Sequence, residues 1–472
     1  MSKNFHILVS IALILCSVGL VGWWVSNDPT SGFKTSVPGL DNRGKGLAYT
    51  EEVNIGEHYK AFDVEAVESY HETWPHFRGK GHDNIYQSDR TLKDRFKESG
   101  PDILWSVKLG EGHAGPAIYN GMVYLLDYDE EKKADMLRCF NLKNGREVWR
   151  RWYDVNVKRN HGMSRTVPAV TDEYILTIGP RCHVMCVERE SGDYLWGIDI
   201  EKTFESEVPL WYTGQCPLID EGVAVIATGG KSLMIGVDCA TGDILWEVPN
   251  EKDWKMSHSS IMPYTFNGRK MYVYSAIGAV VGVSTKGEVL WESTAWDHSV
   301  IAPAPVCMPD GKIFLTAGYG AGSMMLQLSE QNGSYQLNVL DEYKPSQGLA
   351  SEQQTPVYYK NHLFGILPKD GGSMRNQMVC VNPDNTKDIV WSSGKTTRFG
   401  LGPYLIADDK IYLLKDDGTL FIIEATTQGY RELDKAKVLS GHDAWAPMAI
   451  ANGYLVLRDS KNMVCIRIEN GN

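Results

Sequence analysis

The chain has 472 residues, 43% of them hydrophobic and 22% charged, which excludes wholesale disorder. Its 46 Gly, 14 Trp and 23 Tyr favour turn-rich β-structure over a helical bundle. A formal net charge of −12 excludes an electrostatic nucleic-acid binder, because phosphate recognition needs a basic face.

From the N-terminus, residues 7–25 form an uncharged apolar run behind Lys3. At about 1.5 Å per helical residue the run just crosses a hydrocarbon core of about 30 Å. Lys3 before it and Asp28 after it put the N-terminus in the cytoplasm and the body outside. Trp23 and Trp24 suit the far interface. Three readings stay open: a retained anchor, a signal peptide cut near Ser17-Val18-Gly19, or a lipoprotein acylated at Cys16. The residues before Cys16 (Leu13-Ile14-Leu15) lack the small side chains that acylation needs. All three readings place the body outside the cytoplasm. The first segment is thus 1–25.

Residues 26–100 read as a tether followed by a segment that packs on the next domain. Up to His71 apolar runs are few, and a short helix is expected at 63–70. A tether of this length lets the next domain stand off a membrane. Trp74, Phe77, Tyr86 and Phe96 are expected to pack along the surface of that domain. The basic residues among them (Arg78, Lys80, Arg90, Lys93, Arg95, Lys97) are expected to be solvated or to pair with its acids.

From residue 101 a repeat appears. A short apolar strand leads to a turn with Gly, and Trp follows four residues later. Examples are Gly145 with Trp149, Gly192 with Trp196, Gly242 with Trp246 and Gly287 with Trp291. Trp105 opens the series without a Gly, and Trp391 keeps the aromatic but has Lys387 in the Gly position. Gly333 with Leu337 and Gly429 with Leu433 read as degenerate copies. A second marker interleaves: a Pro opens an apolar strand at Pro116, Pro168, Pro217, Pro263, Pro305, Pro356, Pro403 and Pro447. Hairpins such as Asn120-Gly121 and Asn452-Gly453 follow. Each unit therefore reads as four short antiparallel strands. Such a sheet cannot bury both faces alone, but eight arranged radially can. Trp105 precedes the first Pro marker and no Trp follows the last. The strand at 103–109 should therefore complete the final blade and close the ring. Trp105, Trp149, Trp196, Trp246, Trp291 and Trp391 read as structural wedges between blades. Cys139 and Cys186, in apolar strands, read as small buried hydrophobes.

Val237-Asp238-Cys239-Ala240-Thr241-Gly242-Asp243-Ile244-Leu245-Trp246 resembles the pyrroloquinoline-quinone (PQQ) type propeller repeat. Trp74-Pro75-His76-Phe77-Arg78-Gly79 looks like the Trp-x-x-Phe-Arg-Gly segment that precedes the ring in many bacterial PQQ-like propellers. The resemblance covers roughly residues 101–470. It implies one of two kinds of protein. One is the PQQ-dependent alcohol and sugar dehydrogenases; the other is BamB-like outer-membrane assembly scaffolds, which keep the ring without the cofactor. Fold does not decide between them.

The dehydrogenase reading implies an aromatic platform, a Ca²⁺ chelate and a carboxylate base. The chain has no adjacent cysteine pair, and no complete Ca²⁺ set maps onto it. The residues before each Pro marker should nevertheless face the ring axis. They are His113, Arg165, Gln215, His258, Glu352, Gln354, Arg398, His442, Asp443 and Trp445. Arg165, Arg398 and the histidines suit an anion, Glu352 and Asp443 a base or metal ligand, and Trp445 a stacking platform. The plainer reading is a solvated channel lining. No metal, Walker or nucleophile-elbow motif is present. Cys182-His183 with Cys186 reads as a hairpin rather than a zinc site.

The expected fold is all-β, an eight-bladed β-propeller of four-stranded antiparallel blades over 101–472. The expected function is a BamB-like protein-binding scaffold of the bacterial cell envelope. Its partners are envelope proteins, and the membrane through the N-terminal segment. No cofactor and no nucleic acid belong to that reading. The alternative is a PQQ-dependent quinoprotein dehydrogenase, with Ca²⁺, oxidising an alcohol or sugar. A third reading uses the funnel to bind a glycan or anion.

Overall fold

The computed structural model describes residues 3–27, 52–63, 68–159 and 162–470. The chain divides into two compact units, Met1–Tyr49 and Thr50–Asn472. In the first, Lys3–Ser26 is one α-helix, and its span Asn4–Ser26 is long and apolar enough to cross a membrane. A membrane anchor and a signal sequence both meet that description. Residues 28–51 of the expected tether and 64–67 of the helix expected at 63–70 fall outside the described residues; 63 and 68–70 are not helical.

The second unit holds eight antiparallel sheets of four strands, two of them with an added strand. Blades 1 to 8 follow chain order. Their innermost strands are Ala117–Tyr119, Ala169–Val170, Leu218–Asp220, Met262–Phe266, Val306–Cys307, Val357–Tyr359, Tyr404–Ala407 and Ala449–Ala451. Their outermost are Glu147–Asp154, Tyr194–Asp199, Ile244–Pro249, Val289–Ser293, Ser334–Tyr343, Asn385–Ser392, Glu432–Lys437 and, for blade 8, Asp102–Lys108. Asp102–Lys108 pairs with Asn462–Arg467, so the first ring strand completes the last blade as expected. At the inner hairpins of blades 1, 4 and 8 both residues of the Asn-Gly pair have positive φ, the type I′ geometry that matches strand twist.

Two devices hold neighbouring blades together. The first is apolar burial between facing sheets, such as Leu176 and Val184 of blade 2 with Ala224, Ile226 and Ile235 of blade 3. The second is the tryptophan. Every outermost strand carries one extra residue against its neighbour, and in all eight blades it is aliphatic: Val148, Leu195, Leu245, Leu290, Leu340, Val390, Leu433 and Leu104. The residue after this bulge is the marker Trp in six blades. Its ring covers the turn Gly of the next blade: Trp105 on Gly145, Trp149 on Gly192, Trp196 on Gly242, Trp246 on Gly287. A Cβ on any of these glycines would lie within 3 Å of the indole. The indole N–H of Trp105, Trp196 and Trp391 donates across the seam to the carbonyl of Leu142, Cys239 and Thr426. In blades 5 and 7 the position after the bulge belongs to Asp341 and Asp434, not to Leu337 and Leu433. Leu337 pairs lower in a lengthened hairpin, and Leu433 is itself the bulge residue. Cys139 and Cys186 are buried free thiols.

Residues 74–92 do not run along the outside of the ring. Trp74 exchanges two backbone hydrogen bonds of 2.8 Å with Ile118 of blade 1. Pro75 accepts from Val170 of blade 2. The Arg78 guanidinium donates to the carbonyls of Thr355 and Pro356 at blade 6, and to those of His82 and Asp83. Ile85–Tyr86 adds a parallel strand to the innermost strand of blade 7. Glu72 accepts from Asn452 N–H of blade 8 at 2.7 Å. Blades 2 and 6 face each other across an eight-bladed ring, so the segment crosses the axis and plugs the channel at the Asn-Gly end. This gives the Trp-x-x-Phe-Arg-Gly motif a physical reason. Pro75 and Arg78 tie opposite blades, and Trp74 anchors the segment to blade 1. Gly79, at φ 72°, leaves room for the Trp74 ring, which a Cβ would meet at 2.7 Å. Of the basic residues, Arg90 pairs with Glu72 and Glu469, and Lys93 and Lys97 pair with Asp102.

Candidate functional site

With one mouth plugged, the other becomes a funnel lined by the loops that enter each innermost strand. Those loops carry the residues singled out in the sequence, and they form two groups. At the blade 8–blade 1 seam, His113 stacks on Trp445 with ring centroids 5.0 Å apart. Beside them is a pocket of about 510 Å³, lined also by Glu111, Arg159, Asp443, Asp459 and Lys461. Asp443 has positive φ, 57°, and its carboxylate lies 2.8 Å from His442 Nδ1. Glu111 pairs with Arg159 at 3.0 Å.

The second group spans blades 2 to 6. Trp211 stacks on Tyr319 at 5.5 Å and tilts against His258 at 6.0 Å. The Lys369 ammonium stands 4.7 Å over Tyr319 and reaches Glu352 at 2.9 Å. Burial, and then the nearby Arg165, push the His258 imidazole down to about 3, so the ring is neutral near pH 7. Burial lowers Arg165 to about 10, which keeps it charged. Glu352 Oε2 and His258 Nδ1 are buried and have no hydrogen-bond partner. Trp211, Tyr212 and Tyr319 all have φ between 56° and 72°. Bulky residues adopt that left-handed backbone at a cost that usually accompanies a site.

Other residues from the sequence list are committed to the fold. The Arg398 guanidinium donates to the carbonyls of Lys395, Ser373 and Arg375. Gln354 donates to the carbonyls of Leu401 and Trp445, at 3.1 and 2.9 Å. Gln215 clamps both backbone groups of Ala227. Trp211, Tyr212, Tyr319 and Lys369 were not marked by the sequence. Tyr319 and Lys369 sit in loops between middle strands, where no Pro marker points to them. The Trp211-Tyr212 pair, between Pro209 and Gly214, was the signal available.

The donor chemistry does not fit a Ca²⁺–PQQ set. Glu352 and Asp443 are each engaged by a basic side chain, and among the described residues no three His, Cys, Asp or Glu gather to hold a metal ion.

The family described as outer membrane protein assembly factor BamB matches residues 132–376, just over half of the chain. The chain belongs to this family. No curated protein matches it. Among solved structures, BamB from Moraxella catarrhalis is 12% identical, with TM-score 0.53 over 78% of this chain and 100% of that one. A europium-containing methanol dehydrogenase is 10% identical, with TM-score 0.58 over 83% and 90%. The computationally designed Ika8 protein is 12% identical, with TM-score 0.51 over 77% and 99%. At these identities the likeness is one of fold.

Under the funnel, Asp135 is 1% exposed and accepts from the Tyr153 hydroxyl at 2.7 Å and the Ser164 hydroxyl at 3.3 Å. Burial pushes its carboxyl up to about 7. The native state thus keeps a proton that the unfolded chain releases near pH 4. This contribution to stability is full below about pH 4 and is lost as pH rises through about 7. Asp135→Asn is expected to match the parent at pH 4 and to exceed it by about 1–3 kcal/mol at pH 8. Urea unfolding at the two pH values checks this.

Proposed function

We propose that the protein is a protein-binding scaffold of the bacterial cell envelope, similar in type to BamB. Its N-terminal helix would carry it to the membrane and its ring would lie in the extracytoplasmic space. One observation carries the reading: two funnel side chains suited to a cofactor are bonded to the backbone instead, Arg398 to three carbonyls and Gln354 to two. Membership of the BamB family supports it. Formaldehyde cross-linking in intact cells of the native host, followed by mass spectrometry, is expected to recover envelope proteins above cytoplasmic background. Recovery of cytoplasmic proteins alone would overturn the reading.

A second reading is favoured by the unpartnered Glu352 Oε2 and His258 Nδ1, which offer a small polar ligand two buried contacts. The sharpest form of that reading is a PQQ-dependent dehydrogenase. Titration of the full chain with PQQ and Ca²⁺ is expected to give no saturable heat below about 0.1 mM and no dye-linked alcohol oxidation. Tight binding with turnover would replace the scaffold by the enzyme.

A further inference from the structure

The outermost strand of a blade presents unpaired backbone N–H and C=O groups, a template for one more strand. The protein fills this template itself at the seam between blades 1 and 2. His58–Ala61 pairs antiparallel with the edge of blade 1, from His58 opposite Trp152 to Ala61 opposite Trp149. Phe62 N–H donates to the carbonyl of the bulge residue Val148 at 2.9 Å. The Tyr59 ring lies near Trp149, and its hydroxyl crosses the seam to the Ser191 carbonyl at 2.8 Å. Arg151 on the groove wall donates to the Gly56 carbonyl at 2.7 Å.

The next groove repeats this architecture, and no described residues occupy it as 53–62 occupy the first. There the bulge residue Leu195 is 38% exposed. A cavity of about 570 Å³ opens between this edge and the Ala240 turn of blade 3. The wall charge is reversed. Asp172, Glu173, Glu188, Glu190 and Asp193 line the cavity, and no lysine or arginine does; Asp193 lies 3.8 Å from Arg151 and Asp172 accepts from the Tyr119 hydroxyl at 2.8 Å, both on the blade 1 side, which leaves Glu173, Glu188 and Glu190 to the groove. The nearby Arg189 is held by the Asp172 carbonyl and by Glu190.

We propose that the groove between blades 2 and 3 receives an extended basic segment of a partner protein, added as a fifth strand to blade 2. An aliphatic or aromatic side chain of the partner covers Leu195, and its lysines or arginines face Glu173, Glu188 and Glu190. The proposal rests on the scaffold reading and deepens it by naming the docking edge and the chemistry of what docks.

The test is fluorescence anisotropy with the full chain in detergent micelles. The probe is a labelled ten-residue peptide copying residues 53–62 with Asn54→Lys and Glu57→Lys. Saturable binding with Kd of roughly 10–100 µM is expected. It should weaken at least tenfold in Leu195→Ser, in the double variant Glu173→Lys/Glu190→Lys, and for the unaltered 53–62 peptide. All three changes are at exposed positions or in the peptide, so folding is preserved, and circular dichroism verifies it. No saturation below about 1 mM, or binding indifferent to both variants, overturns the proposal. If the peptide fails while cells still yield envelope cross-links, the groove falls and the scaffold stands. If both fail, both fall.

Discussion

Arg78→Met is expected to release the plug and to cost about 3–5 kcal/mol. Arg78 is 5% exposed, and its guanidinium satisfies four backbone carbonyls, two of them on the innermost edge of blade 6. Methionine fills similar volume but leaves those carbonyls without their donor, at about 1–3 kcal/mol for each that water cannot reach. Removal of a desolvated charge offsets part of this. The lost energy is local. Trp74 and Ile85–Tyr86 would hold the segment only at its two ends, so the middle should open without unfolding the ring. Limited trypsin digestion should therefore cut at Lys80 at least tenfold faster than in the parent, while the β-sheet circular dichroism persists. Arg78→Lys should not rescue, because one ammonium cannot span carbonyls on both sides. Equal digestion rates for parent and variant would show that the plug is held by its apolar residues alone.

The plug also marks where sequence reading stops. Asp238, Gly242 and Trp246 could be read as a unit because turn, glycine and indole fall within nine residues and their interactions are local or repeat from blade to blade. Arg78 and Thr355 lie 277 positions apart, and no periodicity links them. The composition of 74–96 indicated packing, but not that the packing partner was the inside of the ring. The degenerate units failed for a smaller reason. In blade 5 the hairpin Gly322–Gln331 with Ser334–Tyr343 is longer, so the bulge falls at Leu340, and counting four from Gly333 lands on the wrong residue. The funnel was legible in half. Loops that enter innermost strands are flagged by their prolines, which brought in His113, Arg165, His258, Glu352 and Trp445. Tyr319 and Lys369 come from loops with no such flag. The positive φ of Trp211 and Tyr212 is imposed by tertiary packing and is not encoded by residue type.

Trp105→Ala is expected to cost about 3–5 kcal/mol, the range for a large buried aromatic. Trp105 is 8% exposed, covers Gly145 of blade 1 and donates to the Leu142 carbonyl at 2.7 Å. Trp196 has the same contacts with Gly242 and Cys239, so Trp196→Ala should cost a similar amount. The two should fail differently. Trp196 sits in a blade whose four strands are consecutive in sequence, and loss of its ring loosens one seam. Trp105 sits in the strand that joins the two ends of the ring. Loss of its ring weakens the pairing of Asp102–Lys108 with Asn462–Arg467, and that pairing closes a loop of some hundreds of residues. Hydrogen exchange should then lose protection first in Asn462–Arg467 and in 102–108 for Trp105→Ala. For Trp196→Ala the loss should be confined to blades 2 and 3. Trp105→Phe keeps a ring over Gly145 and loses the indole hydrogen bond, so it should cost about 1–2 kcal/mol. A phenylalanine variant as damaged as the alanine one would mean that the hydrogen bond to Leu142, rather than the buried ring, keeps the propeller closed.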